Sequence, residues 1–133
     1  MAEMTCIVVT PEATVLEETA EFIALPLFDG EMGISPNHAP MIGRLGYGEL
    51  RLRNGNETRL FYIDGGFVQI ADNVVSVMTN KALPAEKLSA DEAKEQLETA
   101  AKTRANTDEL FEVRDRTVEQ ARAQIRVAKR AKK

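Results

Sequence analysis

One histidine, His38, occurs in the 133-residue chain, inside the string GEMGISPNHAP that runs from Gly30 to Pro40. Imidazole is a common general base and metal ligand, but either task needs companions at set spacings. There is no second histidine, no CxxC and no HExxH, so His38 reads as a structural ring or an interface hydrogen-bond donor. Cys6 is the single cysteine and lies in the apolar run TCIVV. It reads as a small buried hydrophobe in a reducing compartment, and no internal disulfide is possible. The neighbouring carboxylates Glu17 and Glu18 point to opposite sides of a strand and make a rim rather than an acid/base pair. GRLGYG (43–48) is not a dinucleotide fingerprint and reads as turn glycines. No Gly-Lys-Ser/Thr is present to cradle a phosphate, so the chain should not hydrolyse ATP itself. These residues offer no catalytic, cofactor or metal site.

A second group carries charge instead of reactivity. Arg122, Arg126, Lys129, Arg130 and Lys133 follow one another at steps of four, three, one and three, which puts them on one face of a helix. Residues 1–84 carry a net charge of −6, residues 85–112 carry −4 and residues 113–133 carry +6. A basic end on an acidic body suits a partner of negative charge, although a solvated helix face has the same pattern. The acidic body and scarce aromatics argue against nucleic acid. With no Trp and one Phe in that half, the helix is also a poor fit to a membrane surface.

The elements that position these residues have two different periods. Up to Pro84 the chain reads as short strands: TCIVV (5–9), EFIALPLF (21–28), ELRLR (49–53), TRLFYI (58–63), GFVQIA (66–71) and VVSVMT (74–79). Thr10-Pro11, Asp29-Gly30, Asn54-Gly55, Gly65-Gly66 and Asp72-Asn73 separate them. Leu50 and Leu52 alternate with Glu49, Arg51 and Arg53, so one face is expected buried and the other wet. Asn54-Gly55 predicts a type I′ hairpin turn. Many short strands mean a β-sandwich or a barrel. Gly30–Pro40 is too rich in breakers for a strand interior.

From Ala85 to Lys133 there is no Gly and no Pro. Ser89 with Glu92 predicts a capped helix start, and the helix runs to about Arg104 with Ala90, Ala93, Leu97, Ala100 and Ala101 on one face. Asn106 with Glu109 predicts a second helix to about Arg130, striped by Phe111, Val118, Ala121, Ile125 and Ala128 and interrupted by Arg114. The two domains are therefore residues 1–84, β, and 85–133, an antiparallel helical hairpin. Alanine buries little area, and burial stabilises at about 25 cal/mol per Å². The hairpin should dock weakly and exist in two arrangements.

VVTPEATV (8–15), GEMGISPNHAPMIGRL (30–45) and YIDGGFVQIADNVVSVMTNKA (62–82) closely resemble the ε subunits of F-type ATP synthases, in order and spacing along the whole β half. The helical half is similar by pattern and length. The resemblance implies a flattened β-sandwich of about ten strands followed by the two-helix hairpin. It implies a place in the central stalk, coupling γ to the ring of c subunits, and restraint of ATP hydrolysis by the C-terminal helices. Gly30, Glu31, Met32, Gly33 and His38 would then form the ring and γ interface, with Glu31 against the ring and His38 near γ. Arg122, Arg126, Lys129 and Arg130 would meet acidic segments of the catalytic α and β subunits. The implied location is peripheral, on the cytoplasmic face of the bacterial inner membrane; no stretch has the composition of a signal peptide or a membrane span.

One departure matters. Some bacterial members bind ATP on the hairpin through (Ile/Leu)-Asp-x-x-Arg-Ala, and the matching stretch here is Leu88-Ser89-Ala90-Asp91-Glu92-Ala93. Ser replaces the Asp and Glu replaces the Arg, and a glutamate repels phosphate. No nucleotide is therefore expected, although Arg122 and Arg126 resemble other ATP contacts of those members. A stand-alone ATP-sensing module is the alternative reading, and co-purification with γ separates the two.

Overall fold

The computed structural model describes residues 3–102 and 107–131. Eight strands come first: β1 (Met4–Val9), β2 (Thr14–Ala20), β3 (Phe22–Leu27), β4 (Gly30–Ile34), β5 (Met41–Asn54), β6 (Glu57–Ala71), β7 (Val74–Met78) and β8 (Ala82–Pro84). A 3-10 turn at Ala85–Lys87 leads into α1 (Ala90–Lys102) and α2 (Asp108–Ala131). The strands hydrogen-bond in the order β2-β1-β7-β6-β5-β3-β4, with β8 on β6.

Two long strands make the sandwich. Residues 41–45 of β5 pair with 66–70 of β6, and 47–54 pair with 57–64. The lower half of β6 continues to β7, while its upper half takes β8. Both strands change layer where the Gly46/Gly65 pair is missing from an otherwise unbroken register. Gly65 (φ +70) and Gly66 (φ +107) hold conformations that side chains rarely adopt, and a methyl on Gly66 would collide with the Met78 carbonyl oxygen. Gly65-Gly66, expected to separate two strands, is thus a bend within one. GRLGYG, likewise, is strand and not turn. Its Gly46 lets the Leu27 carbonyl approach to within 2.8 Å of where a Cβ would stand. Counting β5 and β6 once each gives eight strands; splitting both at their bends would give the expected ten.

Two further expectations change. Gly30–Ile34 is an edge strand, paired with β3 from Leu27↔Gly30 to Ile23↔Ile34. An edge tolerates glycines because only one side must be filled. The β5–β6 turn is one residue later than expected. Asn54 pairs with Glu57, and of the two loop residues only Gly55 has positive φ (+58), as a type II′ turn requires of its first residue. Asn54 is used differently: its Nδ2 donates to the Thr19 carbonyl (2.6 Å) and its Oδ1 accepts from the Glu21 N–H (3.1 Å).

The core between the layers gathers Cys6, Val8, Ile23, Leu25, Leu50, Leu52, Ile63, Val68, Val75 and their neighbours. Glu17 and Glu18 fall on β2 at the sheet edge, and Glu18 pairs with Arg59. Helix α1 starts at Ser89, whose Oγ accepts the Glu92 N–H (3.1 Å). Thr107 Oγ1 accepts the Leu110 N–H (3.2 Å) and caps α2. Asn106, Arg104 and Lys133 lie outside the described residues.

Candidate functional site

Helix α2 lies on the outer face of β5 and β6, and α1 packs on α2. Within the expected stripe Ala121 and Ala128 are buried, and Val118 and Ile125 half-buried. On α1, Ala93 and Ala100 are buried but Ala101 is exposed. Phe111 is exposed too, with the Arg114 guanidinium 4.8 Å from its ring centroid. That stacking is how a cation sits within the stripe.

A second face of α2, absent from the sequence reading, meets the sheet. Ala123 and Val127 are buried against Tyr62 and Ala85, with Tyr47, Leu60 and Leu88 around them. Polar groups cross the same seam: Gln120 Nε2 donates to Asp64 Oδ1 at 2.9 Å. Glu49, expected on a wet face, is 8% exposed because α2 covers it. Arg130 Nη1 stands 3.1 Å from Glu49 Oε1. Burial pushes the Glu49 carboxyl above its usual range, and Arg130 and Arg51 pull it back in part. Burial also raises Tyr62 and Tyr47, with Asp64 adding to both. From α2 the buried apolar groups in this cluster are Ala123 and Val127, far fewer than the sandwich core gathers.

The expected site residues fall into two places. Glu31 is exposed on β4 and accepts from Arg51 Nη2 at 2.8 Å. Met32 packs on the core edge, and Gly33 lies against the Phe22 ring. His38 is at the other end of β4, in the following loop, half-buried, with Nδ1 2.7 Å from the Ala39 carbonyl oxygen. That loop is tied to the β6–β7 turn. Asn37, at φ +66, donates its N–H to Asn73 Oδ1 (2.6 Å), and Asn73 Nδ2 donates to Asn37 Oδ1 (3.3 Å). Arg126 and Arg130 line one cleft with Gly30, Glu31 and Glu49. Two groups of residues expected to serve different partners are therefore neighbours. Arg122 and Arg126 also face a larger cleft with Arg44, Tyr47, Asp64 and Arg116. Lys129 is exposed.

The sequence reading missed an apolar patch on the sheet. Phe28, Ile42, Phe67 and Met78 are exposed, from 45% for Met78 to 76% for Ile42. Phe67 pairs across strands with both Met78 and Arg44, and the Arg44 guanidinium lies 5.6 Å from the Phe28 ring centroid. Val9, Thr10 and Pro11 complete its edge. Large apolar groups exposed together on neighbouring strands form a patch of the kind found at protein, membrane or ligand contacts. The signal was Phe67 and Met78 standing at outward positions next to inward Val68 and Val77.

Residues 3–85 match the family described as ATP synthase, Delta/Epsilon chain, beta-sandwich domain. The ATP synthase epsilon chain of Rhodopirellula baltica is 46% identical over 124 residues, covering 93% of this chain and 97% of that one. This chain belongs to the ATP synthase epsilon-chain family. Its likeness to the epsilon chains extends through the helices, since the one from Granulibacter bethesdensis is 33% identical over 97% of this chain and 99% of its own. Two solved structures share the fold. One is a chain in the cryo-EM structure of the Euglena gracilis mitochondrial ATP synthase OSCP/F1/c-ring, with TM-score 0.83, 24% identity, and 92% of this chain and 79% of that one covered. The other is in the Tetrahymena thermophila mitochondrial ATP synthase central stalk/c-ring, with TM-score 0.73, 18% identity, and 94% and 96% covered.

Proposed function

We propose that the chain is a non-catalytic rotor subunit of the ATP synthase central stalk. The sandwich joins γ to the c-ring, and the C-terminal helices restrain ATP hydrolysis by the α and β subunits. What carries this reading is that the chain bears two unlike surfaces: an exposed apolar face on the sheet, and a helical hairpin whose α2 is seated through Ala123, Val127 and polar groups. The first suits a permanent neighbour and the second suits an element that leaves its seat. The structural neighbours from Euglena and Tetrahymena come from F1/c-ring and central stalk/c-ring assemblies, which agrees with this reading. Glu31 and His38 would face the ring and γ, and Arg122, Arg126, Lys129 and Arg130 would face acidic segments of α and β once the hairpin opens.

The location that goes with this role is peripheral, on the cytoplasmic face of the bacterial inner membrane. Among the described residues no helix is long and apolar enough to cross a membrane. The hairpin holds no nucleotide in this proposal: Ser89 is engaged as a helix cap, and the Glu92 carboxylate repels phosphate at the point where an arginine would attract it. Calorimetry tests that part, and ATP binding at millimolar affinity or tighter would favour the sensor reading.

Co-purification and deletion test the rest. The tagged chain should bring down γ and then the catalytic subunits. Deleting residues 85–133 should leave that assembly intact and raise ATP hydrolysis. A chain that purifies alone refutes the rotor role, and unchanged hydrolysis refutes the restraint.

A further inference from the structure

Four charges form a row from α2 to the sheet edge: Arg130, Glu49, Arg51 and Glu31. Arg130 Nη1 is 3.1 Å from Glu49 Oε1, Arg51 Nε is 3.7 Å from the same oxygen, and Arg51 Nη2 donates to Glu31 Oε1 at 2.8 Å. Only Glu49 is buried; the Arg130 and Glu31 side chains are about half exposed. Neither Glu49 oxygen receives an aligned hydrogen bond. The buried anion is therefore the worst-served member of the row, while Arg51 gives its best donor to the exposed one.

We propose that this row is a latch: Arg130 holds α2 in its seat by neutralising Glu49, and Arg51, shared between Glu49 and Glu31, sets how firmly. A cationic partner group that pairs with Glu31 releases Arg51 towards Glu49 and tightens the hairpin. The direction follows from where the charges lie. Charge interactions are strong under α2 and weak at the exposed edge. Detachment returns Glu49 to water, where it needs no partner, so any gain in neutralisation at Glu49 favours the seated state. By linkage, the seated hairpin and the cation at Glu31 strengthen each other by the same factor. The coupling belongs to the folded chain and does not require the rotor assignment.

The groups facing Glu49 are Arg126 and Arg130 from α2, Tyr47 and Arg51 from β5, Tyr62 across on β6, and Glu31 from β4. Because its carboxyl is held above the usual value in the seated state, that state takes up a proton that the detached state does not. Seating should then strengthen as pH falls from the raised value towards the ordinary carboxylate range, and should be flat at higher pH.

Hydrogen exchange of the α2 amides in the complete chain reads the opening constant. Arg130→Gln should raise it about tenfold, a figure that discounts a buried pair for the half-exposed arginine. Glu49→Gln added to Arg130→Gln should return it to the parent value or below. Glu31→Gln, standing in for a neutralised Glu31, should lower it severalfold. After correction for intrinsic exchange, the parent should open less as pH falls, and Glu49→Gln should not respond. An Arg130→Gln chain that opens no more than the parent, a double variant that stays open, or a Glu31→Gln chain that opens more would each overturn the latch.

Discussion

Val127 is 3% exposed and belongs to the cluster under α2, not to the sandwich core. Val127→Ala removes two methyl groups from that seat. Each buried carbon is worth about 0.8 kcal/mol in transfer alone, and the residual cavity adds to it, so the loss should be about 2 kcal/mol. At 1.4 kcal/mol per factor of ten, the seated-to-detached ratio falls roughly thirtyfold. Native-state hydrogen exchange resolves where the loss appears. Amides of α2 should exchange roughly thirtyfold faster, while amides of β1, β6 and β7 at the core keep their protection, because the hairpin opens as its own unit. Equal acceleration of helix and core strands would refute the reasoning. It would mean that sandwich and hairpin unfold together and that α2 has no separate detached state.

Phe67→Glu places a charge in the apolar patch beside Met78. It should abolish co-purification with γ while shifting the thermal midpoint by only a few degrees, since Phe67 is exposed; retained binding would remove that face from the interface. Gly66→Ala forces a side chain into φ +107 and into the Met78 carbonyl. Denaturant unfolding should show a loss above about 3 kcal/mol, and a loss under 1 would mean that the bend relaxes freely. Cys6 is fully buried, and burial pushes its thiol up to about 12. Thiol reagents at neutral pH should modify it only at the rate of global unfolding, and rapid labelling of the folded chain would contradict its place in the core.

The strands that alternate or run apolar were legible in the residues: β1, β3, β7, both halves of β6 and the upper half of β5. The helices were legible because breakers vanish after Pro84 and Ser89 marks a start. β4 was not, since Gly30 and Gly33 look like loop until an edge position excuses them. Nor was the union of 58–63 with 66–71, because a glycine pair has the same spelling whether it ends a strand or bends one. Glu49 read as solvent-facing because periodicity names a face without saying what covers it. The same limit hid Ala123 and Val127, which lie off the stripe that a single helix–helix contact requires. The motif GEMGISPNHAP pointed to the correct family, while the nearness of Glu31 to Arg126 and Arg130 depends on folding and is not written locally.

The paired amides of Asn37 and Asn73 fasten the loop that carries His38 to the start of β7, directly beside the end of β6. From Ala71 back to Tyr62, β6 is one continuous length of backbone, roughly 30 Å at about 3.3 Å per residue. Tyr62 is where Ala123 and Val127 rest. The loop and the cradle of the final helix are thus joined through one strand, with a glycine elbow at Gly65-Gly66 between them. In the proposed rotor role, a load taken at that loop would have one strand to travel before it reached the seat of the final helix.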